Sequence, residues 1–436
     1  PAAGRLRDAA AAIAREMSMT PQPPGDVFIG RQPILDRTQS TLGYELLFRQ
    51  GPQNRAEFDS PMQATAGVVC SAFAELGLSA VLAAQRAFIN VDERFIMDDA
   101  VELLPPQQVV LEIESVHAFG AGLLQRCREL GQKGYAFSLH WAGESGEGLV
   151  AMLEMLDYVK IDTGPDMQAT CRALSTALRG RQVRMIAGRV ETLEDRQRCE
   201  KLGFELFQGY YFARPVVIEG RKLDPSQQGL IRIINLVSDE ELDLAAVETA
   251  FKGEPALLAN LLRLTNAVGV SGSFGARVTS VRNAVTVVGQ RQLLRWLQLL
   301  LFSRTGTPFS RNPLMQLAAL RGRLMELLAE RLHPARRDVL DLAFITGLMS
   351  LMPAALGISM TEILAHITVA PDARRALSRR EGELGQLLEL VERYDDNDLE
   401  GTAGLLARRG ALSLSALGGL LAEAIDWVQR LMAGEG

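Results

Sequence analysis

The chain has 436 residues, 47% of them hydrophobic and 22% charged, with a formal net charge of −6. One hydrophobic core rarely grows to that length, so about two to four domains are expected. The acidic balance argues against nucleic acid as the main partner, because phosphate binding needs a basic surface.

Residues 1–26 carry arginines and an alanine run but no apolar signal core with a cleavage site. They close on Pro21–Gln22–Pro23–Pro24–Gly25 and read as an extension and linker. A first domain is expected over residues 27–222, where short segments rich in Val, Ile, Phe or Tyr alternate with helical stretches. The predicted strands are Val27–Ile34, Leu42–Phe48, Ala87–Val91, Gln108–Ile113, Tyr135–His140, Tyr158–Asp162, Val183–Gly188 and Phe207–Phe212. Eight strands with helical crossovers predict a TIM-like α/β barrel. The link from Ile34 to Leu42 is too short for a crossover helix, since a parallel return needs a dozen or more residues. The first strand is therefore expected to run antiparallel.

From Leu223 the texture changes, and residues 223–436 are predicted to form a second, all-α domain. Asp224 reads as an N-cap with Pro225 at the first helical position. Helices are expected from Gln228–Val237 through Ser413–Met432, the most apolar stretch, Leu293–Phe302, being buried in a core. The basic run Arg374, Arg375, Arg379 and Arg380 reads as a solvated face. No apolar run reaches the length of a bilayer span, so no membrane partner is expected. Cys70, Cys127, Cys171 and Cys199 form neither a CxxC pair nor a metal-ligand spacing with the four histidines. Reduced thiols, no cofactor and a cytoplasmic location are expected.

Strand ends of such a barrel point into its mouth and carry its chemistry. Here they are Glu45, Asn90, Glu112, Lys160 and Asp162, with Glu191 and Gln208 after them. Carboxylates with an Asn and a Lys would suit an oxygen-ligated divalent metal and phosphodiester chemistry. The plainer alternative, favoured on these residues alone, is a polar mouth satisfied by its own neighbours.

Several segments resemble the EAL domains, the cyclic di-GMP phosphodiesterase family. They are Gln32–Pro33–Ile34 with Gly43–Tyr44–Glu45–Leu46–Leu47–Phe48–Arg49, the stretches around Asn90 and Glu112, Lys160–Ile161–Asp162, Val190–Glu191–Thr192, and Gln208 through Pro215. The resemblance implies a barrel with its first strand antiparallel and a metal-dependent site at the positions just named. It also implies an Asp pair at the end of the fifth strand, where this chain has His140 and Trp141, and a Glu where it has Gly188. Two close divalent cations need anionic oxygen ligands, which an imidazole and an indole do not supply. On that ground the expectation is no bound metal and no hydrolysis. Gln32, Glu45, Arg49 and Arg189 remain as candidate ligand-binding residues, Arg suiting a phosphate through its fork. The competing reading pairs Arg49 and Arg189 with Glu45, Glu112 or Glu191 inside the mouth.

In the second half, Glu254 through Ala267, Ser280 through Gly289 with Arg295 and Trp296, and Arg380 through Gly385 resemble HDOD domains, relatives of metal-dependent HD phosphohydrolases. The His-Asp pair of those enzymes is replaced by Ser350 and Leu351. The expected function is therefore a non-enzymatic bacterial signalling protein that works through other signalling proteins. A metal-independent cyclic di-GMP receptor is the alternative, an active phosphodiesterase is ranked below it, and a homodimer is left open.

Overall fold

A computed structural model of the chain describes residues 27–50, 85–114, 120–141, 148–214 apart from 165, 166 and 179, 223–261 apart from 240, 256 and 260, 280–302, and 312–433 apart from 335, 397, 410 and 411. These fall into two compact units, one within Pro1–Phe212 and Tyr394–Ala422, the other within Ala213–Arg393 and Glu423–Gly436.

The first unit is a closed eight-stranded barrel in sequential order. Its strands are β1 (Val27–Asp36), β2 (Thr41–Gln50), β3 (Arg86–Val91), β4 (Val109–Glu114), β5 (Ala136–His140), β6 (Tyr158–Asp162), β7 (Arg184–Gly188) and β8 (Leu206–Gln208). β1 pairs antiparallel with both β2 and β8, and every other neighbour pair is parallel, as the short first connection requires. Helices α1 (Glu93–Met97), α2 (Ala121–Gln132), α3 (Leu149–Leu153), α4 (Met167–Ala177) and α5 (Leu193–Lys201) lie on the crossovers. The eighth strand ends at Gln208, and Gly209 onward is turn rather than the longer strand expected.

Alternation along the strands stacks the interior in layers. An apolar layer takes Ile34, Phe88, Val110, Ala136, Tyr158, Ile186 and Leu206, one from each strand except β2. Two residues on from it come Asn90, Glu112, Ser138, Lys160, Gly188 and Gln208. On the reversed β1 the equivalent step runs backward to Gln32. The floor of the mouth is thus apolar and the layer above it is polar, by the period of two alone.

The second unit is helical. It begins with α6 (Pro225–Ser238), closed by the expected Asp224 capping box with Gln227, and α7 (Leu244–Lys252). Then follow α8 (Val281–Val288), α9 (Gln290–Leu300), α10 (Pro313–Leu332), α11 (Arg337–Met349), α12 (Met352–Leu356), α13 (Met360–His366), α14 (Pro371–Arg379) and α15 (Gly382–Asp395). α16 (Leu399–Arg409) falls within the first unit, while α17 (Leu414–Ala433) has residues in both. Leu293, Leu297, Leu299, Leu301 and Phe302 are buried, as the apolar stretch predicted. Most of the predicted helix at residues 256–266 lies outside the described residues.

One expectation about this unit is corrected. One stretch, Val339–Leu356, is long and apolar enough to cross a membrane by length and composition, and 56% of it is buried in the protein. It packs tightly against α10, because a Cβ at Gly347 would press on the Arg321 carbonyl. The arginine run is solvated as expected, with Arg374, Arg375 and Arg379 exposed. Arg374 donates to the Leu364 carbonyl, Arg375 pairs with Asp372, and Arg380 forms a two-point pair with Glu392 at 2.8 Å.

Candidate active site

Lys160 is the hub of the mouth. Its ammonium, 4% exposed as a residue, donates to Glu45 Oε1 at 3.0 Å and to Glu112 Oε1. Glu45 also accepts from Asn90 Nδ2 at 2.9 Å and from Gln208 Nε2. Gln208 donates to Gln32 Oε1 at 2.8 Å, and Ser138 Oγ donates to Glu112 Oε2 at 3.1 Å. Residues from seven strands that lie far apart in the chain therefore meet in one network. Ser138 was missed from the sequence, although it lies two residues after Ala136 on the inward face of β5.

The charges of this network are set by burial and pairing together. Burial alone would raise the Glu45 carboxyl, but the Lys160 ammonium and the bonds from Gln208, Lys160 and Asn90 outweigh it and hold it below the usual range. Glu112, fully buried and close to the negative Glu45, is pushed up despite Lys160. For Lys160, burial acts to lower the ammonium, and Glu112 with Glu45 more than reverse that. Three ionisable groups share one dry pocket because each carboxylate has a cation within reach.

The upper rim on the β5–β7 side differs. His140 Nε2 lies 3.4 Å from Asp162 Oδ1, and Arg189 Nε lies 2.9 Å from Asp162 Oδ2. Burial raises Asp162, but the His140 hydrogen bond and charge and the Arg189 charge carry it below its ordinary value. Arg189 thus pairs with Asp162, while the cation serving Glu45 and Glu112 is Lys160. Glu191 is exposed beyond β7, and the side chain of Arg49 lies outside the described residues. Trp141 buries its indole Nε1 with no hydrogen-bond partner among the described residues.

The fit to a divalent cation differs between the two sides. On the inner side, Asn90 Oδ1 and Gln208 Oε1 are buried oxygens with no hydrogen-bond partner among the described residues, next to the Glu45 carboxylate. Oxygens of this kind suit a hard cation, with Glu45, Asn90 and Glu112 as its donors. The β5–β7 side does not fit a second one, since His140 and Arg189 already crowd Asp162. No group of three or more His, Cys, Asp or Glu side chains among the described residues is assembled to hold a metal. In the helical unit Ser350 Oγ accepts from Arg321 Nη1 at 2.8 Å and donates to the Gly347 carbonyl. Cys127, Cys171 and Cys199 are buried and free, with burial pushing the Cys127 thiol to about 12.

Residues 31–215 match the EAL domain model and residues 225–352 the HDOD domain model. The chain is 31% identical over 378 residues to the cyclic di-GMP phosphodiesterase CdgJ of Vibrio cholerae, covering 86% of each chain. It is 26% identical to the uncharacterized protein YuxH of Bacillus subtilis, over 93% of this chain and 99% of that one. Among solved structures, Klebsiella pneumoniae BlrP1 in complex with calcium and cyclic di-GMP is 20% identical with a TM-score of 0.37, over 45% of this chain and 58% of that one. The expectation of a non-enzymatic protein is corrected here, because CdgJ is a phosphodiesterase that aligns across both halves. The changes at 140, 141 and 188 leave the Glu45–Asn90–Glu112–Lys160–Gln208 network complete, so they do not establish inactivity. With both domain models matched in order and a relative aligned along most of its length, the chain belongs to the EAL–HDOD family.

Proposed function

We propose that this chain is a cyclic di-GMP phosphodiesterase working at the mouth of its barrel. The observation that carries the reading is the hydrogen-bonded network around Lys160, with two buried amide oxygens left open beside Glu45. The similarity to CdgJ supports it. A divalent cation held by Glu45, Asn90 and Glu112 would supply positive charge against the phosphoryl oxygens and lower the pKa of the attacking water. Glu45 stays ionised at neutral pH because Lys160 and its hydrogen bonds hold its carboxyl down. Lys160 keeps its proton there and adds a fixed positive charge at the floor of the phosphate site. Gln32, next to Gln208, presents an amide at the rim where a base or ribose would rest.

The test is hydrolysis of cyclic di-GMP by the purified full chain with Mg²⁺ or Mn²⁺, following the linear dinucleotide product. Metal-dependent turnover that disappears in Glu45→Gln, with the fold intact by circular dichroism, supports the assignment. Absence of turnover with either ion in a folded preparation overturns it.

A further inference from the structure

The β5–β7 side of the mouth inverts the charge that its family resemblance implies. Where anionic oxygens are expected, the chain has His140, Trp141 and Gly188, and a guanidinium follows at Arg189. That guanidinium is held by one carboxylate, and the backbone that carries it is tied down as well. Arg189 Nε lies 2.9 Å from Asp162 Oδ2, and His140 Nε2 approaches the other oxygen of the same carboxylate at 3.4 Å. The Arg189 carbonyl accepts from Thr163 Oγ1 at 2.7 Å, and the Gly188 carbonyl accepts from the Thr163 N–H at 2.9 Å. Gly188 has a direct part, because a Cβ there would overlap Asp162 Oδ1.

Arg189 itself has φ 53, in the left-handed region where a side chain bearing a Cβ is strained. Glycine would relieve that strain, so a long side chain here carries a backbone cost, a pattern found at functional sites. Its side chain is 76% exposed. With Nε bound to Asp162, the two Nη groups donate to no described residue. What remains is a fork of donors, anchored at its base and open at its tip.

We propose that Asp162 positions Arg189 so that its Nη edge takes a phosphodiester of the bound dinucleotide, supplying by guanidinium the charge that this side of the mouth cannot hold as a cation. The proposal rests on the cyclic di-GMP reading above. Arg189 touches the ligand, and Asp162 is a positioning residue acting through it.

Titration calorimetry of the full chain with cyclic di-GMP in EDTA, run beside turnover in Mn²⁺, tests it. Arg189→Gly relaxes the backbone while removing the fork. It is expected to keep or raise the thermal midpoint, yet weaken binding roughly ten- to hundredfold and raise KM more than it lowers kcat. Arg189→Lys, keeping charge without the fork, should fall between wild type and the glycine variant. Asp162→Asn should weaken binding less than Arg189→Gly does. A wild type that turns over, with Arg189→Gly matching it in Kd and KM, overturns this proposal alone. A wild type that neither binds nor cleaves the dinucleotide overturns this proposal and the phosphodiesterase reading together.

Discussion

The two sides of the barrel mouth are built by the same strand alternation, yet they handle charge in opposite ways. At the inner side Lys160, Glu45 and Glu112 are all nearly inaccessible, and every charge has a partner. At the outer side Asp162 is about a quarter exposed and Arg189 mostly so, with water to share the charge. Depth decides the difference. A buried charge left alone costs several kcal/mol, whereas an exposed pair contributes about 1 kcal/mol or less. The inner network is therefore structural as well as chemical, and the outer one is free to serve a ligand.

Removing the hub would break this contrast most sharply. Lys160→Met leaves two buried carboxylates facing each other without a cation, and a loss of about 3–5 kcal/mol is expected in denaturant unfolding. A loss below about 1 kcal/mol would mean that water reaches the inner layer. Acid should come next. The Glu45 and Asp162 carboxyls are held below their ordinary values, so their contribution is present at neutral pH and lost as pH falls through the lowered values. Glu112, pushed up, works the other way and takes its proton first. The thermal midpoint should hold on mild acidification and then drop, with Glu45→Gln flattening the drop.

Smaller changes sharpen the comparison. Ser138→Ala removes one donor to the buried Glu112, and a cost of about 1 kcal/mol is expected in chemical denaturation. Asp162→Asn, at the exposed rim, should change stability by less than about 1 kcal/mol. If Asp162→Asn proved as costly as Lys160→Met, the division between a structural inner side and a ligand-facing outer side would fail.

Much of this was legible from sequence. Strand positions follow from short β-branched and aromatic runs, and the reversed first strand follows from the length of one connection. Glu45, Asn90, Glu112, Lys160 and Gln208 were found as strand ends, because period-two alternation places them beside inward apolar neighbours. Ser138 escaped because a lone serine carries no charge pattern. The inference of inactivity failed because the changes at His140, Trp141 and Gly188 were weighed alone, whereas the Glu45–Asn90–Glu112–Lys160–Gln208 network is complete without them.

The eight strands, the antiparallel start, the helical second half and the charged side chains of the mouth could be read along the chain. These depend on local propensity, chain length between strands and the period of the pleat, which act along the chain. Which cation serves which carboxylate could not be read that way. From the residues alone, Arg49 and Arg189 were candidates to pair with Glu45, Glu112 or Glu191, but barrel closure brings Lys160 between Glu45 and Glu112 and leaves Arg189 to Asp162. Pairing across a barrel depends on strand register and depth, and both are fixed only when the eighth strand meets the first.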